Sequence, residues 1–163
     1  FCGGTLADEA MLLVQQARGP VRAPIPLRPQ RAHGPHQRAD GDVVVDFGDD
    51  GLTQGRPHPM IDPSLRMERI AVEAADPGCG VLLLDLVLGY GAHPDPAGEL
   101  AGAIAAARRT RELPVVVTVV GTAGDPQGLD ACRAALFAAG ASVFVSNARA
   151  TRHALSLLEA PRG

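Results

Sequence analysis

Four short runs of branched aliphatic residues limit what this chain can fold into. They lie at residues 43–47, 81–88, 115–120 and 142–145. All but the first are nearly unbroken in apolar side chains, which is the signature of strands covered on both faces rather than one. Between them run segments with helical spacing. Residues 5–17 place Leu6, Ala10, Leu13, Val14 and Ala17 on one face, and residues 64–75, 98–111, 129–139 and 148–159 follow the same period. Strands alternating with helices predict an α/β domain with a mainly parallel sheet and right-handed crossovers. Only 3% of residues are aromatic and Trp is absent, so the core is expected to be aliphatic. Five helical segments against four strands imply a first strand ahead of residue 1. The chain thus reads as one domain, 1–163, cut from a longer polypeptide.

Charge and cysteine usage exclude several classes. A net charge of −3 argues against nucleic acid as the main partner, because phosphate backbones need a basic field. All 15 basic residues are Arg, which removes Schiff-base and phosphate-gripping lysines. Cys2, Cys79 and Cys132 are widely spaced and form no CxxC, so no zinc site or disulfide scaffold is indicated, and a reducing cytoplasm is expected. No apolar run reaches the length needed to span a bilayer. Residues 19–41 carry five prolines and four arginines without a period and read as a long surface loop.

In open parallel sheets ligands bind beyond the carboxyl ends of the strands. Glycine-rich or polar loops recur at that place. Gly3, Gly4 and Thr5 precede the first helix and suit a carboxylate or phosphate, with a plain turn capped by Thr5 as the simpler alternative. Cys2 beside them sits where a helix N-terminus can lower a thiol pKa. In residues 48–63, three prolines stiffen a loop in which Arg56 offers a planar fork for an anion and His58 a proton-transfer group. Asp49 and Asp50 suit a metal or a plain turn, and no metal site is assigned. Residues 89–96 bring Gly91, which lets backbone approach a ligand, and His93, with Asp95 as the cap of a helix opened by Pro96. Residues 121–127 offer Gly121, Thr122, Asp125 and Gln127 to a polar ligand, with a cap of a helix starting at Pro126 as the alternative for Asp125. Asn147 reads as a helix cap, with a contact at the site rim as the alternative. No nucleophile elbow or GxGxxG is present, so neither a serine hydrolase nor a nicotinamide cofactor is indicated.

The run from Cys2 to Ala10 resembles the opening of the ligase domain in the succinyl-CoA synthetase α-subunit superfamily. Residues 55–63, 84–98, 114–128 and 146–150 resemble one branch of it, the FdrA proteins. The resemblance implies a flavodoxin-like three-layer α/β/α domain following a CoA-binding-like domain. It also implies a multi-subunit enzyme of oxamate carbamoyltransferase type in purine and allantoin breakdown, which exchanges oxalurate and phosphate with oxamate and carbamoyl phosphate. CoA or a nucleotide is expected only through other domains or partner subunits. Two departures stand out. The synthetases carry a phosphorylated His in the loop aligned with residues 121–128 and a supporting Glu in the loop aligned with residues 86–91. This chain has neither. The expected role is therefore carbamoyl or acyl transfer to or from a small anion. Arg56 would clamp it and His58 and His93 would orient or protonate it. Acyl-CoA ligation and a non-catalytic scaffold are the alternatives.

Overall fold

The structure, a computed structural model, describes residues 1–23 and 41–159. Arg28, Arg31 and Arg38 of the expected surface loop lie outside the described residues. Three parallel strands form the regular sheet: β1 (Leu82–Val87), β2 (Val115–Val120) and β3 (Ser142–Phe144), in the order β1-β2-β3. Leu82 pairs with Val115 and Val116 with Ser142. The helices are α1 (Gly4–Arg18), α2 (Asp50–Thr53), α3 (Ser64–Ala75), α4 (Pro96–Thr110), α5 (Leu129–Ala138) and α6 (Asn147–Glu159).

Alternation along the strands sorts the helices into two layers. Leu82, Leu84 and Leu86 of β1 and Val115, Val117 and Val119 of β2 share one core with Ile70 of α3, Leu100 and Ile104 of α4 and Leu136 of α5. On the opposite face Leu83 and Val116 pack with Ala150, Ala154 and Leu157 of α6, and α1 lies against α6. Successive strand side chains point to opposite faces, so an unbroken apolar run is what a three-layer α/β/α arrangement requires. Among the described residues no helix is long and apolar enough to cross a membrane.

Residues 43–47 were expected to form a strand. They instead make one parallel bridge, Val43 with Arg22, and two hydrogen bonds to Phe1. The segment is extended but has only a single described residue beside it on each edge, which is too little for a continuous ladder. The helix expected over residues 129–139 forms as Leu129–Ala138; the alternative start at Pro126 does not occur, because residues 122–128 fold into two turns (Asp125 N to Thr122 O, Gly128 N to Asp125 O) and Gly128 has φ 74°. The Asp125 carboxylate turns back to the Thr122 amide at 2.6 Å instead of capping a helix. Asp95 does cap α4, accepting from Gly98 N, with Pro96 in the first turn. The short helix α2, capped by Asp49, was not expected. Its four residues are below the length at which apolar periodicity is visible.

The aliphatic core makes a direct stability test. Leu136 is fully buried and its neighbour Phe137 is 74% exposed. Leu136→Ala should lower the unfolding free energy by about 2–5 kcal/mol, and Phe137→Ala by less than about 0.5 kcal/mol. Denaturant titration of the two variants beside the parent chain measures both.

Candidate functional site

The sheet is parallel, so the loops that leave its strands emerge at one edge. A series of backbone contacts joins them there. Phe1 N donates to Val45 O at 2.8 Å and Phe47 N to Phe1 O at 3.0 Å, which sets the start of α1 against residues 45–47. His93 N donates to Met60 O at 2.6 Å, tying the loop after β1 to the proline-rich loop. Gln127 ties the loop after β2 to the loop after β1: its Oε1 accepts from Gly89 N, and its Nε2 donates to Gly89 O at 2.9 Å and to His93 O. The expected contributors Gly3, His58, His93 and Gln127 thus lie in loops linked along one edge.

The anchor below them is a buried ion pair that the sequence reading did not single out. Asp85 of β1 is fully buried, and Arg66 of α3 is 4% exposed. Arg66 Nη2 lies 3.0 Å from Asp85 Oδ1 and donates to the Asp85 carbonyl at 2.8 Å, while its Nη1 donates to Cys2 Sγ. Both carboxylate oxygens of Asp85 accept from Cys2 N at 2.9 Å. Burial alone would raise the Asp85 carboxyl, but the Arg66 guanidinium and the Cys2 hydrogen bonds hold it below the ordinary aspartate value. The signal was present in the sequence, as one Asp inside an otherwise apolar strand.

Cys2 is not an activated thiol. Desolvation pushes its thiol up to about 11, against the pull of Arg66. A neutral thiol is a poor nucleophile, so the helix-terminus argument fails here because the side chain faces the interior. The cap reading of Asn147 is corrected. Its Nδ2 donates to Leu6 O at 2.9 Å and Glu9 Oε2 at 2.8 Å, and its Oδ1 accepts from Thr118. It straps α6 to α1 and β2, while Ser146 Oγ accepts from Arg149 N in the capping role.

At the start of α1, Gly3 is the N-cap with no side-chain hydrogen bond, and Thr5 lies within the first turn instead of capping it. The first-turn amides of a helix have no intrahelical partner. Asp46 lies beside them: a β-carbon built on Gly4 would stand 3.4 Å from Asp46 Oδ2. Burial raises the Asp46 carboxyl, opposed by its hydrogen bond from Gly48 N. This carboxylate shares the positive end of α1 with any anion that binds there. Gly48 is required by packing, since a β-carbon would fall 2.5 Å from Cys2 O and 2.8 Å from His58 Nε2.

The two candidate histidines are held alike. His58 Nδ1 accepts from Met60 N at 3.2 Å, and His93 Nδ1 accepts from Asp95 N at 3.1 Å. Each neutral ring therefore carries its proton on Nε2. His58 and His93 are half-buried, and Arg56 is exposed at the rim. Asp62 accepts from Ser64 N, and this bond together with the positive charges of Arg56 and His93 keeps its carboxyl low. Gly91 is exposed with φ 82°, and Thr122 is exposed with its hydroxyl accepting from Gly124 N. Gly121 abuts Leu88, whose side chain a β-carbon there would meet at 2.9 Å.

An α/β/α domain with interlinked polar loops at the carboxyl edge of a parallel sheet belongs to the class of open-sheet domains that bind ligands at that edge. The CoA-ligase family model matches residues 1–157, and the chain belongs to that family. It is also similar to the uncharacterized protein YahF of Escherichia coli (strain K12), at 43% identity over 136 residues. The match covers 80% of this chain but 26% of the relative, so the chain spans about a quarter of that protein's length.

The Asp85 anchor has a signed pH test. Its folded pKa lies below the ordinary 3.8, so its contribution is present above about pH 4 and is lost as pH falls through the folded value. Asp85→Asn should cost about 3–5 kcal/mol at neutral pH, because Arg66 is left buried without its counter-charge. The deficit should narrow in urea titrations run progressively below pH 4.

Proposed function

We propose that this chain is the ligase-type domain of an FdrA-like enzyme that transfers a carbamoyl or acyl group to or from a small planar anion, without a phosphohistidine. The observation that carries the reading is the loop after β2. It occupies the place of the synthetases' phosphorylated loop, yet residues 121–128 contain no His, and the Gln127 amide is engaged with Gly89 and His93. The phosphoryl relay of the parent reaction lacks its carrier. Groups suited to an uncharged or anionic substrate remain. The Nε2–H of His58 and of His93 can donate to a carbonyl or carboxylate oxygen. The first-turn amides of α1, at Gly4 and Thr5, offer further donors, Gly3 caps them, and Arg56 closes the rim as a fork. The backbone at Gly91, Gly121 and Thr122 completes the cradle.

In this reading the domain works within the cytoplasm as part of an assembly. An upstream CoA-binding-like domain and partner subunits supply CoA or nucleotide contacts where any are needed, and the isolated domain is inactive. The test is phosphate-dependent oxalurate cleavage, or carbamoyl transfer to oxamate, by the full-length protein with its candidate partner subunits. Turnover there but not with the isolated domain is expected; equal turnover by the domain alone would refute the need for partners, and no turnover in either would favour a scaffold. Incubation with labelled ATP or GTP plus CoA should leave no acid-labile phosphate on this chain. A stoichiometric label would return the protein to acyl-CoA ligation.

Two substitutions probe the anion. Arg56→Ala in the assembly should weaken use of the anionic substrate several-fold, up to roughly tenfold, as expected for loss of one charge-assisted contact; Arg109→Ala, on the last turn of α4, should leave it unchanged. Asp46→Asn removes the carboxylate that competes for the α1 terminus and should tighten phosphate or oxamate binding, read by isothermal titration.

A further inference from the structure

The loop that leaves β1 is held at its base by one side chain from the loop after β2. Leu88 N makes the last backbone bond between the two strands, to Val120 O at 2.8 Å. Beyond it the chains part, because Gly89 takes φ 143° and residues 122–128 bend into their two turns. Gly89 N is left without a backbone acceptor, and Gly89 O has only a long bond from Ala92 N, at 3.4 Å. A partly buried peptide group needs better partners, and Gln127 supplies them. Its Oε1 accepts from Gly89 N at 3.1 Å, and its Nε2 donates to Gly89 O at 2.9 Å and to His93 O at 3.3 Å. The side-chain amide thus meets the donor and the acceptor of Gly89 together, as the facing residue of an antiparallel pair would. Its own stem is fixed: the Asp125 carboxylate holds Thr122 N at 2.6 Å, and Gly128 N donates to Asp125 O at 3.1 Å.

His93, at the far end of the same loop, is engaged at every polar group but one. Its N donates to Met60 O at 2.6 Å, its O accepts from Gln127, and its Nδ1 accepts from Asp95 N at 3.1 Å. Only Nε2 has no hydrogen-bond partner among the described residues, and it is the donor position of a ring whose Nδ1 accepts. Between the two clamped residues Tyr90 is 87% exposed and Gly91 takes φ 82°. The tip of the loop therefore adds little support, and two contacts from outside set where His93 stands: Met60 from the proline-rich loop and Gln127 from the loop after β2.

We propose that Gln127 is a positioning residue for His93: its amide fixes the span between Gly89 and His93, and with it the place of the Nε2–H donor at the carboxyl edge. The use of that donor rests on the transfer proposed above, in which it meets a carbonyl or carboxylate oxygen whose charge grows during reaction. Such a donor depends on distance and angle, so a small displacement of the loop costs rate. The loop after β2 then acts on the reacting group without a histidine of its own, through the imidazole of the loop after β1. Side-chain length and both ends of the amide matter. Asn is one methylene too short to reach both residues, and Glu keeps the acceptor but sets a carboxylate against two carbonyl oxygens.

The test uses the full-length protein with Gln127→Met and Gln127→Glu, two variants close to Gln in volume, so that it survives if one of them fails to fold. Amide hydrogen exchange resolved by residue needs no substrate. His93 N is the informative amide, because its own bond runs to Met60 and is not removed by either substitution. Exchange there faster by about tenfold or more in both variants reports a displaced loop. Leu136→Ala, which weakens the core away from the clamp, should leave it unchanged. In the transfer assay with partner subunits, Gln127→Met should lower kcat by about tenfold or more and leave KM for the anion within about twofold, since the donor is used in the transition state. In a His93→Ala background the same substitution should lower kcat no further. Unchanged exchange at His93 N, or losses in kcat that multiply in the double variant, would overturn the proposal. Absence of transfer by the parent assembly would refute the proposed transfer instead, and exchange at His93 N would then decide for or against the clamp.

Discussion

The two hydrogen bonds from Cys2 N to the Asp85 carboxylate connect the sheet to everything above it. Asp85 sits inside a strand whose other residues are aliphatic, and its charge is tolerated because Arg66 reaches over from α3. A buried ion pair adds little net stability compared with well-packed hydrophobic residues, but removing one partner is expensive. Its value here is positional. It fixes the residue from which the glycine turn and α1 start, and it leaves Cys2 a neutral, interior thiol. Gly48 then packs against Cys2 O and His58, and the Met60–His93 and Gln127–Gly89 bonds carry the same order across the edge.

How far the sequence was legible follows from which signals are local. Continuous aliphatic runs at 82–87 and 115–120 are long enough to reveal strands buried on both faces, and Asp95-Pro96 is a cap and first turn that needs no partner to be recognised. Residues 43–47 have the same composition as a strand, but a ladder depends on neighbours, and neighbours are not local. The cap readings of Asn147 and, as an alternative, of Asp125 fail for a related reason: a short polar side chain near a helix start has several amides and carbonyls within reach, and tertiary contacts choose among them.

The candidate site was read from the sequence as a place more than as a set of partners. Topology alone puts the loops at one edge, so Gly3, His58, His93 and Thr122 could be grouped from sequence. What escaped were the residues that hold the group together. Arg66 looks like any solvated helix arginine, and Asp46 and Gly48 look like loop residues. Only the fold shows that Arg66 is buried, that Asp46 stands at the start of α1, and that Gly48 leaves no room for a β-carbon. Cys2 shows where a local rule stops short. The rule that a helix N-terminus activates a thiol assumes that the side chain faces solvent, and here desolvation outweighs the field of the helix and of Arg66.

Under the proposed function, the electrostatics of the edge favour a reaction in which charge is relocated, not created. Asp46 already supplies negative charge at the α1 terminus, so a second full anion is bound there against repulsion unless it brings its own compensation or the Asp46 carboxyl takes a proton, which its raised pKa makes easier. Arg56 at the exposed rim can compensate a carboxylate from the solvent side but is screened there. The two Nε2–H donors suit an oxygen whose charge grows only during transfer. A stable phosphoryl group on the protein would need a nucleophile in the loop after β2 and a field free of Asp46. Residues 121–128 contain no His and Asp46 stands beside α1, so the loop and the charge at this edge bear together on the proposed transfer.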